Sequence, residues 1–434
     1  MSSKQIKWRC TMTLDYSYAR GLDAKDPIKK MRERFYLQDE ELYMDGNSLG
    51  LMSKDAEEAL NKTIENWKQL GIKGWLEGDN SWFYMAEALA KLQAPLVGAK
   101  ENELTIHSST TLNLHLLLAT FYKPTLIRNK ILVDELNFPT DFYAVSSHLK
   151  HLGLDPKEHI VYVKSRDGST LDEGDIINAI DESVALVLLP GVLYRSGQLL
   201  NMESLTRAAH EKGAIIGLDL SHSAGAVEHQ LHDWGVDFAF WCNYKYFNGG
   251  PGAAASLFVH ESHLEGGPGL AGWFGYRKDK QFDLATEFEP STTASAWEIG
   301  TPHVMSMAGL KGSFEQFNTC GMKTLRKKSL ELTGHLIKLI DEKLSIYGFK
   351  TVTPREDVSR GGHVALVHNE AARINEAMKE KGIIPDYRQP NVIRLAPVPL
   401  YTRFVDVVDL VERIVDIMES KSYLKFENKR GTVA

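Results

Sequence analysis

The sequence predicts an α/β protein with a large domain, built on a mostly parallel sheet flanked by helices, and a smaller C-terminal α+β domain. The first observation behind this prediction is a series of short apolar segments that alternate with helical stretches. Continuous runs of this kind, rich in β-branched residues, are typical of strands buried on both faces of a parallel sheet. We predict strands at 131–133, 160–163, 184–189, 215–218, 238–241 and 256–259.

A change of character after about residue 305 predicts the smaller domain. A long helix (322–346) is followed by short strands, and the last helix places Val407, Leu410 and Ile414 on one face with a helical period. The other elements predicted here are strands at 349–352, 363–367, 383–388 and 392–395 and a helix at 371–380. The predicted domains are 1–50, a segment that packs with the small domain, 51–305, the large domain, and 306–434, the small domain.

The N-terminal region contains a glycine motif that allows two interpretations. We predict a helix at 27–35 and a strand at 41–45, which ends in Gly46-Asn47-Ser48-Leu49-Gly50. This stretch matches the G-x-S-x-G motif of serine hydrolases, in which the helix begins at the serine. Here the next helix is predicted to begin only after Ser53, so we favour a turn beside a ligand. A hydrolase that uses Ser48 as nucleophile is the alternative.

Composition excludes several classes of function. The 434 residues carry 50 basic and 57 acidic side chains, a formal charge of −7, without a basic stripe, which argues against nucleic acid or anionic membrane as a partner. No segment approaches the ~20 apolar residues of a membrane span and the N-terminus lacks a signal-peptide core, so we predict a cytoplasmic protein. Cys10, Cys242 and Cys320 are far apart, which indicates a reducing compartment, and no metal site is predicted.

Residues that follow three predicted strands are candidates for a ligand site, because ligands of parallel sheets bind beyond the carboxyl ends of the strands. These residues are Phe138-Pro139-Thr140-Asp141, Asp219 with His222, and Asn243-Tyr244-Lys245. Lys245 has aromatic neighbours and is followed by a glycine-rich turn, which predicts a lysine shielded from solvent at the edge of the sheet. A surface lysine after an edge strand is the alternative.

Two threonines at the start of a predicted helix offer a phosphate site. Thr110 and Thr111 precede an apolar run at 112–121. The N-terminus of a helix presents free N–H groups and the positive end of the helix dipole, both of which favour an anion. Capping of the helix by these hydroxyl side chains is the more ordinary interpretation.

Together, these residues match the requirements of pyridoxal phosphate. This cofactor needs a lysine for its aldehyde, a carboxylate beside its pyridine nitrogen, a phosphate site and commonly an aromatic ring stacked on it. Lys245, Asp219, the pair Thr110 and Thr111, and Phe138 supply these four features from neighbouring strand ends. Their joint occurrence predicts a pyridoxal-phosphate enzyme.

Motifs along nearly the whole chain carry a resemblance to one enzyme family. They are Gly46-Asn47-Ser48-Leu49-Gly50, Asn113-Leu114-His115, Phe138-Pro139-x-Asp141, Asp219-x-x-His222, His232-Asp233-Trp234-Gly235-Val236-Asp237-Phe238, Tyr244-Lys245-Tyr246, Gly272-Trp273-Phe274-Gly275 and Arg394-x-Ala396-Pro397. In these motifs the chain resembles the kynureninases, pyridoxal-phosphate enzymes of the aspartate aminotransferase fold (fold type I). The resemblance implies hydrolysis of L-kynurenine to anthranilate and L-alanine, in tryptophan degradation or in the synthesis of an NAD precursor.

The resemblance also implies roles for individual residues. Lys245 resembles the lysine that binds the cofactor covalently and moves the substrate α-proton, and Asp219 resembles the partner of the pyridine nitrogen, supported by His222. Tyr244 is our hypothesis for the proton donor and acceptor during cleavage. Further cofactor contacts are implied for Thr110, Thr111, Phe138, Pro139, Thr140, Asp141, Trp273 and Thr301. Trp273 and Thr301 would come from a partner subunit, which implies a homodimer with active sites at its interface.

On the substrate side, Arg394 is similar to the arginine that binds the α-carboxylate, a task that suits the forked guanidinium group. Ser48 and Trp75 are implied as further substrate-binding residues. Animal members carry serine at the position of Pro190, histidine at Trp75 and asparagine at Thr301. Tryptophan with threonine is the combination of bacterial-type members, which implies a preference for kynurenine over 3-hydroxykynurenine.

Other functions remain as alternatives at this point. Within the same fold, these are a cysteine desulfurase, for which Cys320 is the candidate nucleophile, and a class V aminotransferase. From other classes, they are a serine hydrolase that uses Ser48 and a binding protein without catalysis, against which Lys245 argues.

Overall fold

The architecture comes from a computed structural model, which describes residues 15–78 and 81–429. Cys10, one of the cysteines behind the predicted reducing compartment, and the first part of the predicted segment 1–50 lie outside these ranges. Within the described ranges, no helix combines the length and the apolar character that a membrane crossing requires.

The regular elements follow in chain order. The α-helices are α1 (Tyr16–Lys25), α2 (Lys54–Leu70), α3 (Met85–Val97), α4 (Thr110–Phe121), α5 (Pro139–His151), α6 (Pro156–His159), α7 (Glu173–Ala179), α8 (Met202–Glu211), α9 (Val304–Met307), α10 (Leu310–Cys320), α11 (Met322–Lys343), α12 (Ala371–Glu380) and α13 (Phe404–Glu419). The strands are β1 (Leu42–Tyr43), β2 (Leu104–Ile106), β3 (Lys130–Asp134), β4 (Ile160–Val163), β5 (Val184–Pro190), β6 (Ile215–Asp219), β7 (Phe238–Trp241), β8 (Ser256–Val259), β9 (Lys350–Thr351), β10 (Val364–Val367), β11 (Ile383–Ile384), β12 (Asp386–Arg388) and β13 (Val392–Leu395). Short 3-10 helices lie at Lys29–Arg34, Gly71–Trp75, Trp82–Tyr84, Glu101–Glu103, Glu261–Gly266, Trp273–Gly275, Gln281–Asp283, Ala294–Trp297, Ser345–Tyr347, Asp357–Ser359 and Ser422–Lys425.

The large sheet has seven strands in the order β2-β8-β7-β6-β5-β3-β4. The five strands from β7 to β4 in this order are parallel, whereas β8 pairs antiparallel with both β7 and β2. The predicted mostly parallel α/β sheet is therefore confirmed. The register places Pro190 beside Asp219 and Asp219 beside Phe240, so the carboxyl ends of β5, β6 and β7 lie at one edge of the sheet.

Both faces of this sheet are buried, as the continuous apolar runs predict. Successive residues of a strand point to opposite faces. Accordingly, Leu132 and Val187 belong to one apolar cluster, while their neighbours Ile131 and Leu186 belong to another. All residues of β5 are buried. Alternation of apolar and polar residues would indicate a sheet with one face exposed to solvent. Its absence from these strands therefore indicates a sheet covered on both faces.

A second, four-stranded antiparallel sheet follows, in the order β12-β13-β10-β9, with a separate apolar core. The N-terminal segment packs with it, because β1 pairs with β11 and α1 packs on α13. We propose the division into large and small domains on this basis. Helix α10 packs against α2 and α3 and contributes Phe314 and Phe317 to the core of the large sheet, which supports a boundary after Cys320 rather than at 305.

The N-terminal elements differ in detail from the prediction. The helix expected at 27–35 is a 3-10 helix, Lys29–Arg34, and the strand expected at 41–45 has only the residues of β1. Asp26 accepts a hydrogen bond from the backbone N–H of Ile28 at 3.0 Å, a local turn that competes with a regular helix start. Ser53 caps α2 as predicted, since its hydroxyl accepts from the N–H of Ala56 at 3.1 Å.

Candidate active site

Lys245 lies at the carboxyl edge of the large sheet, shortly after β7 ends. The side chain is half-buried and lines a pocket, so it does not lie on an open surface. Its amine nitrogen is 3.0 Å from Nε2 of His222 and 5.9 Å from the centre of the Phe138 ring. The structure thus brings together residues that the sequence places after three different strands.

Two contacts fix the backbone of the loop that carries Lys245. The buried side-chain amide of Asn243 donates to the carbonyl of Ala254 at 2.7 Å. Gly50 donates its N–H to the carbonyl of Tyr244 at 2.8 Å, and a Cβ at position 50 would stand 2.4 Å from the carbonyl oxygen of Lys245. Only glycine permits this approach. The contact explains the last glycine of the G-x-S-x-G stretch without a nucleophile elbow.

Two interacting carboxylates are buried at this pocket. Asp219 ends β6, and its Oδ1 accepts a hydrogen bond from the backbone N–H of Ser221 at 2.8 Å. Burial raises the pKa of Asp219. Burial, followed by the charge of Asp219, raises the pKa of Asp141 well above its ordinary value. Carboxylates in such surroundings are stabilised by an added positive charge, which a protonated pyridine nitrogen supplies.

Two helices begin at the same pocket. Helix α4 begins at Thr110 and α5 at Pro139, and the hydroxyl oxygens of Thr111 and Thr140 are 2.9 Å apart. All three threonines line the pocket. Within the described part of the chain, the side chain of Ser109 makes no capping hydrogen bond to α4. Helix N-termini with several hydroxyl groups suit a phosphate, so the geometry supports the phosphate interpretation over simple capping.

His222 is uncharged in these surroundings. Burial and then the charge of Lys245 hold the pKa of His222 well below its ordinary value. The neighbouring ring of His363, 6.0 Å away, is fully buried, and burial lowers its pKa in the same way. A neutral imidazole can accept a hydrogen bond at Nε2, so His222 is able to hold the amine of Lys245 in place.

A second polar group surrounds Arg394 on β13, whose side chain is fully buried. Its Nε pairs with Asp386, its Nη1 donates to the carbonyl of Tyr194 at 2.6 Å, and its Nη2 is 3.1 Å from Oγ of Ser48. Arg388 also contacts both groups: its Nη2 is 3.5 Å from Oγ of Ser48, and its Nε is 3.0 Å from Oδ2 of Asp386. Two guanidinium groups therefore converge at Ser48, an arrangement that suits a carboxylate ligand.

Tyr194 stands between the lysine and the arginine. Its ring centre is 5.3 Å from that of Phe138 and 6.2 Å from that of His222, and the guanidinium carbon of Arg394 is 6.0 Å from the ring. Tyr194 therefore lies between the lysine pocket, which it lines, and the arginine group, whose Arg394 is fully buried behind it. The sequence does not predict Tyr194, because this residue lies in a loop after β5 without any periodic pattern.

Three residues predicted for the site lie outside the lysine pocket of the same chain. Trp75 belongs to an aromatic cluster, with its ring centre 6.4 Å from that of Phe274. Trp273 is 43% exposed, and its ring centre is 6.1 Å from that of Phe282. Thr301 is also exposed. Exposure is compatible with contacts across a subunit interface, and the roles of these residues stay predictions.

Other pocket residues were also missed. They are Asn137, Val192, Ser221 and Cys242, with Asp386 and Arg388 at the arginine group. A signal existed for Asp386: the strands predicted at 383–388 and 392–395 form a hairpin, and their antiparallel pairing places Asp386 directly opposite Arg394. Opposite charges across a strand pair stabilise each other.

Comparison with known proteins identifies the family. The model of the kynureninase C-terminal domain matches residues 325–414. The chain is 53% identical to a kynureninase of Geobacillus thermodenitrificans (strain NG80-2), over 96% of this chain and 97% of that relative. It is 51% identical to a kynureninase of Bacillus thuringiensis subsp. konkukian (strain 97-27), over 96% and 98%.

The chain belongs to the kynureninase family.

Solved structures agree on the fold of this kynureninase-family chain. The apo cysteine desulfurase from Thermococcus onnurineus NA1 matches with a TM-score of 0.72 and 19% identity, over 90% of this chain and 98% of that structure. A mutant of C-DES with glycine covalently linked to its pyridoxal-phosphate cofactor matches with a TM-score of 0.74 and 15% identity, over 89% and 99%. The fold is therefore fold type I of pyridoxal-phosphate enzymes, as predicted.

Proposed function

We propose that this chain is a pyridoxal-phosphate enzyme that hydrolyses the Cβ–Cγ bond of L-kynurenine and releases anthranilate and L-alanine. This makes it a hydrolase of carbon–carbon bonds in ketones, within tryptophan catabolism. The observation that carries the proposal is a half-buried lysine and a buried arginine on either side of Tyr194, in a chain that is 53% identical to a kynureninase. The lysine side suits the cofactor and the amino group, and the arginine side suits an α-carboxylate.

The pocket fits the cofactor at each of its groups. The phosphate would be held by Thr110, Thr111, Thr140 and the N-termini of α4 and α5. Asp219 would take the pyridine nitrogen, with the buried Asp141 behind it, and this positive partner offsets the burial that raises the pKa of both carboxyls. Phe138 would lie against the ring, and Lys245 would bind the aldehyde.

When bound, the cofactor supplies electron withdrawal at the substrate α-carbon, which makes the α-proton acidic and prepares the β-carbon for cleavage. The residues of the chain position the substrate and move its protons. Arg394 and Ser48 would bind the α-carboxylate and so fix the α-carbon relative to Lys245. The amine of Lys245 would accept the α-proton, held by neutral His222 at 3.0 Å.

Two measurements on the purified protein test this function. Added pyridoxal phosphate should produce an absorbance band in the near-visible range, and L-kynurenine should then yield equal amounts of anthranilate and L-alanine over many turnovers. An aminotransferase would instead stop after one turnover unless a keto acid were supplied. A protein that gains no band with the cofactor, or releases no anthranilate, would contradict the proposal.

Tyr244→Phe is expected to slow turnover while the cofactor still binds. Cys242 beside the hydroxyl, followed by burial, raises the pKa of Tyr244, so the phenol keeps its proton at neutral pH and can donate it during cleavage. Loss of one general acid lowers kcat by about 10²–10⁴-fold. The measurement is kcat for kynurenine beside a titration of the cofactor band. Tyr246→Phe is the matched control, because this hydroxyl contacts His363 rather than the pocket. An unchanged kcat in Tyr244→Phe would remove this role.

The chain is expected to prefer kynurenine to 3-hydroxykynurenine. The family resemblance implies that the indole of Trp75 and the short side chain of Thr301 replace the histidine and asparagine of animal members, and so offer a 3-hydroxyl group fewer hydrogen-bond partners. A substrate whose hydroxyl is buried without a hydrogen-bond partner binds less well than one without that hydroxyl, by about 1–3 kcal/mol. The measurement is kcat/KM for both substrates. In Trp75→His, the ratio of kcat/KM for kynurenine to kcat/KM for 3-hydroxykynurenine should be smaller than in the wild type. Equal or higher kcat/KM for 3-hydroxykynurenine would contradict the proposal.

We propose a homodimer in which Trp273 and Thr301 enter the pocket of the partner subunit. Support comes from the exposed aromatic and apolar side chains near Trp273, since a patch of this kind marks an interface. Its exposed members are Ile72, Leu76, Tyr84, Phe282 and Leu284. Sedimentation of the holoenzyme should give twice the chain mass, and a monomer with full activity would contradict the arrangement.

A cytoplasmic location is proposed from cysteine usage. Cys242 and Cys320 are free thiols, which suit a reducing compartment. Cell fractionation with an antibody to the chain would locate it, and recovery from an oxidising compartment would refute the proposal.

The rival activities fit less well. Burial raises the pKa of Cys320, at the end of α10, which leaves a poor nucleophile for a desulfurase. Ser48 lies in a turn, and the next helix, α2, begins only at Lys54, whereas a nucleophile elbow requires the helix to begin at the serine. A fluorophosphonate label on Ser48 would revive the hydrolase alternative.

A further inference from the structure

Three side chains that can bind metals meet at the edge of the large sheet opposite the active site. Glu103 directly precedes β2, His260 directly follows β8, and His232 lies in the loop before β7. The antiparallel pairing of β8 with both β2 and β7 brings them together. His232 opens the motif 232–238, yet it has no part in the lysine pocket, which lies at the other end of β7.

The three groups nearly have the spacing of a coordination shell. Nδ1 of His232 is 2.8 Å from Oε1 of Glu103, Nε2 of His260 is 4.0 Å from the same oxygen, and the three ligand atoms lie within 4.8 Å of one another. Ligand atoms of a tetrahedral zinc ion are about 3.3 Å apart, given bonds of about 2.0–2.2 Å. The two imidazole centres are 5.0 Å apart and the rings are stacked with their planes nearly parallel, at 7°, so one ring must turn for both nitrogen lone pairs to point at one ion.

Two backbone N–H groups fix the orientation of the Glu103 carboxylate. Glu103 is fully buried, and its two oxygens accept hydrogen bonds from the N–H of Lys100 at 2.8 Å and of Glu261 at 2.9 Å. Nδ1 of His260 accepts from the backbone N–H of Ser262 at 3.2 Å and is 2.8 Å from the Ser262 hydroxyl. An ion at Nε2 therefore requires the ring proton to move to Nδ1, where that hydroxyl is the acceptor. Outer hydrogen bonds of this kind orient metal ligands.

A neighbouring cluster of one aspartate and two histidines does not direct its ligand atoms to a common position. Asp237 contacts His210 at 2.9 Å through Oδ2 and His263 at 2.7 Å through Oδ1, so its two histidines occupy different oxygens. In the described ranges, 15–78 and 81–429, Glu103, His232 and His260 form the only group of three such side chains whose ligand atoms all lie within 4.8 Å of one another.

We propose that Glu103, His232 and His260 bind a divalent transition-metal ion of the zinc class, with water as the fourth ligand. Two imidazoles and one carboxylate suit zinc and cobalt and do not suit the hard cations magnesium and calcium. The histidine side chains are 23% and 18% exposed, which leaves an entry path. The ion ties β2, β8 and the loop before β7 together and takes no part in the chemistry at Lys245.

The test uses untagged holoenzyme, treated with a chelator and then titrated with Co²⁺. The wild type should bind one ion per chain, seen by elemental analysis after dialysis and by the d–d absorbance of four-coordinate cobalt. His232→Gln and His260→Gln should each weaken binding by at least about 10–100-fold, which is the loss expected even for an outer partner of a ligand. The matched control, His263→Gln, should bind as the wild type does, because the His263 side chain contacts Asp237 and the ring of Phe121 and none of the three proposed ligands.

His260→Gln keeps the experiment decisive if His232→Gln folds poorly, because His260 makes no hydrogen bond to Glu103 at its distance of 4.0 Å. Added Zn²⁺ should raise the Tm of the wild type and not that of His260→Gln, while kynurenine turnover stays the same in both. A wild type that takes up no cobalt, or equal uptake by His260→Gln and the wild type, would overturn the site. Neither result bears on the proposed hydrolysis.

Discussion

Lys245→Ala is expected to lower kcat for kynurenine by about 10³–10⁴-fold, near the upper limit for one proton-transfer group, because the same amine also binds the cofactor. Its position supports this size of effect. The amine is 3.0 Å from Nε2 of His222 and 5.9 Å from the centre of the Phe138 ring, and alanine leaves no basic group at this point. The measurement is single-turnover kinetics with excess enzyme, together with the absorbance of the bound cofactor.

A matched lysine separates this effect from a general loss of charge. Lys164 also lies near an aromatic ring, 5.6 Å from the centre of Tyr162, but on the surface far along the sheet. Lys164→Ala should keep both kcat and the cofactor band. A small added amine should restore part of the turnover of Lys245→Ala and change nothing in the control. If Lys245→Ala kept more than a tenth of wild-type kcat, another group would have to be the base.

Arg394→Lys should have the second largest effect, on two separate quantities. The guanidinium is fully buried between Asp386, Ser48 and the carbonyl of Tyr194. Lysine offers a single charged point in place of a fork, so kcat/KM should fall by about 10²–10³-fold, mainly through KM, which corresponds to about 3–4 kcal/mol. Steady-state kinetics with kynurenine measure this change.

The free energy of unfolding should also fall in Arg394→Lys. Lysine keeps the positive charge, but its single nitrogen cannot replace the three guanidinium contacts, and a lost hydrogen bond of a charged group costs about 1.5–3 kcal/mol. Urea unfolding of the holoenzyme gives the value. Arg388→Lys is the matched comparison: it changes a partly exposed group on the same carboxylate and should have the smaller effect on both measurements. A larger effect in Arg388→Lys would reverse the two roles.

The fold was predictable where one physical signal dominates. Strand β5 reads as seven consecutive buried residues, and only a sheet covered on both faces produces such a run. The rule that ligands bind at the carboxyl ends of parallel strands predicts that Asp219 and Lys245 lie together, and both line the same pocket. The region before Ser53 was predicted less well, because the turn at Asp26 competes locally with the helix that the composition favours.

The site was predictable only on the side that the large sheet builds. Arg394 meets the carbonyl of Tyr194 across 200 positions of the sequence, and no local pattern encodes that contact. The same limit applies to Glu103, His232 and His260, which converge only because three strands pair in a particular order. Cysteine spacing carries no information about this group, because none of its three side chains is a cysteine.

One feature of the N-terminal segment links the two sheets. Met44 donates its N–H to the carbonyl of Ile384 at 2.9 Å and accepts from the N–H of Ala396 at 2.8 Å, so it is inserted between the strands of the small domain. A few residues later, Gly50 is bound at 2.8 Å to the carbonyl of Tyr244 in the large domain.

The stretch 44–50 is therefore a short covalent connection between the two sides of the cleft, with a main-chain hydrogen bond at each end. The position of Arg394 relative to Lys245 thus depends on the backbone contacts of these seven residues as well as on the contacts of the two side chains themselves.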